Sequence, residues 1–200
     1  MVQRHPASLY RIYRQLGYSV KAYSTKKPYK PKHYDTPTAL GVKWQMDVKY
    51  VLTACYSGSV PQKFYQYTVI DEASRERFIY PYMKQSGYST ADFLKKAILY
   101  FGYKPKILQT DNGSEFTNII KTDKKHILDI TCEALQITHK RIRPRTPRHN
   151  DKVERSHRND QERFCNHMAF YSYDDLKLKM KRYLNRSNSL FILLKLVSHH

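Results

Sequence analysis

Three acids stand out by the elements that would carry them. Asp47 falls in the middle of a stretch where Trp44, Met46, Val48 and Tyr50 alternate with Lys43, Gln45, Asp47 and Lys49, the period of two of a strand. Asp111 closes a short apolar run, Ile107 to Thr110, and is followed by the turn signal Asn112-Gly113. Glu154 lies in the first turns of a helix that begins near Asn150 and carries Val153, His157 and Arg158. A mid-strand Asp is disfavoured by β-propensity and by the cost of burying a charge, so it requires a cation or a donor. Three converging carboxylates repel one another unless they hold hard divalent cations such as Mg²⁺, which take oxygen ligands. Two such ions about 4 Å apart activate a nucleophile and stabilise the leaving oxygen of a phosphodiester. The chemistry these acids suit is metal-assisted phosphoryl transfer.

Convergence depends on the elements between them. Phe64 to Ile70 and Arg77 to Tyr82 read as strands joined by a turn at Asp71 to Arg75, a hairpin that continues the Asp47 strand antiparallel. Asp71 itself is expected to satisfy its own backbone in that turn. Ser89 reads as the cap of a helix with Phe93, Leu94, Ala97, Ile98 and Phe101 on one face, ending near Gly102 and Pro105. A helix from about Lys124 to Leu135, a strand from Ile137 to Ile142 and the Glu154 helix follow. The predicted order is three strands, helix, strand, helix, strand, helix. If the Ile107 strand lies parallel beside the first, its carboxyl end brings Asp111 to Asp47, and the last helix packs across with Glu154 facing both.

Composition points to the partner. The 200 residues carry a formal charge of +19 and 14% aromatics, the balance of a folded domain with a basic surface. Such a surface attracts polyanions, nucleic acid foremost. No run approaches the ~20 apolar residues that span a bilayer, and Met1 to Tyr10 lacks a secretory apolar stretch, so the chain reads as cytoplasmic, with no membrane partner. Cys55, Cys132 and Cys165 are odd in number and widely spaced, and read as reduced, structural thiols.

The segments Trp44-Gln45-Met46-Asp47-Val48, Gln109-Thr110-Asp111-Asn112-Gly113-Ser114-Glu115-Phe116 and Thr146-Pro147-Arg148-His149-Asn150-Asp151-Lys152-Val153-Glu154-Arg155-Ser156-His157 resemble the catalytic core of insertion-sequence transposases and retroviral-type integrases. The likeness runs in consistent order from about Gly41 to Leu184, and the three blocks together are far more specific than any one of them. It implies an α/β, RNase H-like fold, a mixed five-stranded sheet flanked by helices. It implies an Asp-Asp-Glu triad of Asp47, Asp111 and Glu154, catalytic and metal-binding, with two Mg²⁺ or Mn²⁺ ions. Asp47 would bridge the ions while Asp111 and Glu154 hold one each. The implied activity is polynucleotidyl transfer: cleavage at a mobile element's ends, then strand transfer into target DNA. DNA is the implied partner, met by a homo-oligomer and with no small-molecule substrate, in the bacterial cytoplasm at the nucleoid. Glu115 is not one of the triad and reads as structural or as support for it.

Around Glu154, the residues Lys152, Arg155, His157 and Arg158 read as DNA backbone contacts, and Arg143, Arg145 and Arg148 as a DNA-facing loop. Asp151 stands where many relatives carry Gly, and an acid there suits a helix's amino end. Residues 1–20 read as the remnant of a helix-turn-helix region, its last helix running from a Ser8 cap to Gly17. Residues 21–40 read as a basic linker and 41–184 as the catalytic core. The tail, 185–200, reads as truncated or frameshifted, which makes the chain a remnant of a mobile element. Two other functions stand beside the DNA-cutting core: a catalytically inactive DNA-binding remnant, and an RNA-binding basic protein, for which no RRM or KH signature speaks.

Overall fold

A computed structural model describes residues 5–18, 36–118, 122–142 and 151–197, with side chains described as far as residue 189. The chain divides into two compact units, residues 1–35 and 36–200. In the first, helix α1 spans Pro6–Gln15. It begins ahead of the expected Ser8 cap because His5 Nδ1 accepts from the Ala7 amide at 3.3 Å and Pro6 fits a first helical position, where its missing N–H costs nothing. Gly17, at φ 75°, follows its end.

In the second unit, β1 (Lys43–Tyr50), β2 (Tyr65–Asp71), β3 (Arg77–Tyr82), β4 (Ile107–Thr110) and β5 (Thr138–Arg141) form one mixed sheet in the order β3-β2-β1-β4-β5. The β1–β2 and β2–β3 pairs are antiparallel, whereas β1–β4 and β4–β5 are parallel. Helices α2 (Gly87–Phe101) and α3 (Ile127–Ala134) supply the crossovers. They cover the sheet face that carries Trp44, Met46, Tyr67, Val69 and Leu108, and Phe93, Leu94, Ala97, Leu128 and Cys132 complete that core. The opposite face meets α4 (Asp151–Arg163) and α5 (Tyr173–Val197), where Val51, Phe64, Ile79, Phe170, Leu176, Met180 and Leu184 form a second core.

Later helix boundaries also differ from expectation. The α2 cap is Ser86, whose hydroxyl accepts from Ser89 N at 3.2 Å, so the helix starts at Gly87. α3 starts at Ile127, capped by His126 Nδ1, because Asn118 holds the carbonyl of Lys124 at 2.6 Å in a turn. The chain after Asn150 forms two helices. Between them Phe170 pairs with Tyr56 and exchanges backbone bonds with Cys55 and Ser57, which breaks the path. α5 then passes without interruption through position 185, and Asn188 donates to the Arg77 carbonyl at 2.8 Å and to Tyr100 Oη at 2.9 Å. The three cysteines are buried free thiols, and burial pushes each of them up. Among the described residues no helix is long and apolar enough to cross a membrane.

Candidate active site

The alternation of β1 sends Trp44 and Met46 into the α2–α3 core and turns Gln45, Asp47 and Lys49 toward α4. The β1–β4 register pairs Lys43 with Ile107, Trp44 with Leu108 and Gln45 with Gln109. Carried two residues past its last pair, that register would set Asp47 level with Asp111, the first residue beyond β4. The two carboxylates feel each other. Burial first, and then the charges of Asp47 and Glu115, push the Asp111 carboxyl above its ordinary value, while the Gly113 amide pulls it down.

Each acid is held by short local bonds. Asp47 Oδ1 accepts from the Val48 amide at 2.9 Å, and Asp111 Oδ1 from the Gly113 amide at 2.9 Å. The Thr110 hydroxyl bridges the Asp111 carbonyl and His139 Nε2, 2.9 Å from each, and His139 Nδ1 lies 2.6 Å from Asp129. Asn112 donates to the Ile142 carbonyl at 2.9 Å, which ties the turn to the end of β5. Glu115, 5% exposed, accepts from Gln85 Nε2 at 2.7 Å.

A Cβ on Gly113 would stand 2.7 Å from the Glu115 carboxyl. Gly113→Ala is therefore expected to displace Glu115 from Gln85 and cost about 1 kcal/mol, a fall of ~3 °C in melting temperature. Adding Gln85→Ala should then cost nothing further in the double-mutant cycle. Full additivity of the two losses would show that the glycine spares no such bond.

α4 crosses this face. Val153 N donates to Gln45 Oε1 at 3.3 Å, and His157 Nδ1 lies 3.3 Å from Asp47 Oδ2. His157 Nε2 is buried without a hydrogen-bond partner among the described residues. Glu154 lies one turn before His157 and is exposed, in the first turn of α4 with Asp151, where both acids complement the helix dipole. The structure thus gathers Asp47, Asp111, Glu115 and His157. Among the described residues, no three His, Cys, Asp or Glu side chains lie close enough to hold a metal ion.

The remaining predicted contacts separate. Lys152 reaches the buried Glu72 at 3.2 Å, whereas Arg155 and Arg158 are exposed. Arg143, Arg145 and Arg148 lie outside the described residues.

Three acids that sequence reasoning left aside, or read as turn chemistry, are fully paired. Asp71 accepts from the amides of Ala73 and Ser74, as expected, and also from Gly41 N and Trp44 Nε1. Glu72 binds Gln45, Lys43 and Lys152. Asp160 binds Arg77, Gln66 and Tyr183. Against them, among the described residues Asp47 meets only the Val48 amide and His157, and Asp111 only the Gly113 amide, so both keep hard carboxylate oxygens to spare. That donor set fits a hard divalent cation better than a protein cation.

The integrase core domain model matches residues 37–147, and a second integrase core domain model matches residues 135–190. The ORF3 protein of Spiroplasma virus SpV1-C74, named for an integrase, is 37% identical over 124 residues, 58% of this chain and 34% of its own length. The chain therefore spans about a third of that relative. A chain of the simian T-cell lymphotropic virus intasome, solved with PP2A regulatory subunit B56 gamma, superposes with a TM-score of 0.61 at 18% identity, covering 87% of this chain and 62% of that one. The HTLV-2 integrase catalytic core domain, solved in complex with magnesium in a trimeric form, superposes at 0.50 and 19% identity, covering 74% of this chain and 82% of that one. At these identities the structural likeness concerns the fold, which is RNase H-like.

Proposed function

The chain belongs to the integrase core domain family, and on that premise we propose that it is a polynucleotidyl transferase that cleaves DNA and joins DNA strands with divalent metal, as in integration or transposition. The observation that carries this reading is the pair Asp47 and Asp111, repelling each other and, among the described residues, short of donors. Asp47 and Asp111 hold the metal, and Glu154 completes the set from α4. The magnesium held by the HTLV-2 core supports the choice of ion; two ions, Mg²⁺ or Mn²⁺, are the proposal here. Bound ions supply nucleophile activation and charge neutralisation at phosphorus. His157 orients the second oxygen of Asp47, and the Asn112-Gly113 turn holds Asp111 at its level. Arg155 and Arg158, with Arg143, Arg145 and Arg148, neutralise DNA phosphates on approach. The partners are an element's ends and its target, and the working form is a homo-oligomer on DNA at the bacterial nucleoid.

One observation favours a second reading, a DNA-binding remnant that does not cut: the Glu154 side chain is exposed and apart from the gathered acids. Incubation of the full chain with end-labelled duplex, with and without Mg²⁺ or Mn²⁺, separates the two. The transferase reading expects ion-dependent nicking or joining that Glu154→Gln lowers by at least about 100-fold while DNA affinity holds. Binding without any cleavage in either ion supports the remnant and defeats the transferase.

A further inference from the structure

A concave feature lies beside α4. It is a cleft of about 710 Å³ between α4, α5 and the turn joining β2 to β3. Its floor includes Arg77, whose guanidinium is neutralised by Asp160. Arg155 and Arg163 line it from α4, Arg186 from α5 and Arg75 from the turn. Among the described residues none of these four makes an ion pair, and Asp151 is the acid in the same lining. Arg155, Asn159 and Arg163 recur every fourth residue, so they share one face of α4. Arg75 is held at φ 65°, a left-handed backbone that L side chains rarely adopt, by the bond from its amide to the Asp71 carbonyl at 3.0 Å. The turn so held brings Arg75 into the cleft's lining, where among the described residues it makes no ion pair.

Four guanidiniums around one cavity, none ion-paired among the described residues, are mutually repulsive, and an anion with several oxygens is what they fit. The planar fork of Arg matches phosphate oxygens two at a time. A second copy of a chain with charge +19 is a poor source of such an anion. Arg155 and His157 are two residues apart, which on a helix turns their side chains about 200° from one another. His157 points to Asp47, so the cleft opens on the other side of α4 from the acid pair.

We propose that this cleft is a second phosphate-binding site, which grips the backbone of a DNA segment outside the phosphodiester that the acid pair addresses. The site rests on the proposed function only in taking DNA as the polyanion. It gives α4 two working faces, one toward the reacting phosphate and one toward a remote stretch of the same nucleic acid.

The test uses the full chain carrying Asp47→Asn, in chelator, so that neither cutting nor bound metal enters the readout. Anisotropy titrations with a labelled duplex of about 30 base pairs, over about 50 to 200 mM salt, give the slope of log affinity against log salt. Each lost phosphate contact flattens that slope by about 0.9. Arg163→Gln with Arg186→Gln is expected to flatten it by about 2 and weaken binding at least tenfold. Lys95→Gln with Lys106→Gln, an equal loss of charge at exposed positions outside the cleft, should shift it by less than about 0.5. Arg163→Lys with Arg186→Lys should restore most of the slope, and all three pairs should melt within ~2 °C of the parent, since the replaced side chains are exposed. Equal slopes for the cleft and control pairs overturn the site while leaving the transferase reading intact. A chain that binds no duplex at any salt overturns both. Competition by polyglutamate as effective as that by DNA, charge for charge, overturns the site in favour of an acidic protein partner.

Discussion

Asp111→Asn is expected to abolish metal-dependent strand cleavage, by at least about 1000-fold in kcat/KM, and at the same time to raise the melting temperature of the metal-free chain by about 2 °C. The two effects share one cause. Burial and the charges of Asp47 and Glu115 raise the Asp111 carboxyl, so the folded chain holds that proton more tightly than the unfolded chain. As pH climbs from the ordinary carboxylate range through the raised value, the folded form must ionise against its neighbours, and stability falls. Above that interval the penalty is constant. The amide removes it, so the gain is present at pH 7 and vanishes below about pH 4, where the parent side chain is neutral too. Added Mg²⁺ should raise the melting temperature of the parent and leave the Asn variant nearly unmoved, because only the parent keeps both carboxylates for the ion. Thermal melts with and without Mg²⁺ beside a cleavage assay decide the matter. A variant that still cuts, or one that melts lower than the parent at pH 7, would remove Asp111 from the role assigned to it.

Asp160→Ala is expected to cost about 3 to 5 kcal/mol, a fall of ~10 °C in melting temperature. Asp160 is fully buried, and its oxygens accept from Gln66 Nε2 at 2.7 Å, from the Arg77 guanidinium and from Tyr183 Oη at 3.0 Å. Arg77 is nearly as deep and also donates to Ser156 at 2.7 Å and to Ser187 at 2.9 Å. Removing the carboxylate strands a guanidinium inside the fold, whereas replacing both partners by apolar side chains removes the debt as well as the bond. Arg77→Met with Asp160→Leu should therefore recover at least half of the loss in urea unfolding. If Asp160→Ala costs less than about 1 kcal/mol, this pair is not what ties α4 to β3.

The parts that proved readable from sequence are those with a local signature. The alternation around Trp44 and Met46 fixes which way Asp47 points, Asn112-Gly113 marks the end of β4, and Gly102 at φ 74° closes α2. Parallel placement of β4 beside β1 follows from chain connectivity, since a helix between two strands returns them in the same direction. Long-range partners left no such mark. Asp160 and Arg77 lie 83 positions apart in a polar helix and a hairpin strand, and each alone reads as a solvated charge. Glu72 follows a turn acid and gives no hint that Gln45, Lys43 and Lys152 close over it. The break between α4 and α5 carries neither Pro nor Gly, because it is set by Phe170 reaching Cys55 and Tyr56 across the fold. Asp47 and Asp111 came from spacing and motif together. That His157 meets Asp47 came from the packing of α4 alone.

The level pairing of β1 with β4 carries one more consequence. Sixty-four positions separate Asp47 from Asp111 along the chain, yet each lies two residues past the paired Gln45 and Gln109, on neighbouring strands whose spacing of about 4.8 Å is indifferent to the length of everything between. Insertions into the hairpin or the α2 connection can grow or shrink without retuning that gap. Deleting one residue inside β1 ahead of Asp47 would instead invert the strand's parity and bury the carboxylate among aromatic rings. The site is thus tolerant of drift in its loops and intolerant of any slip in its ladder.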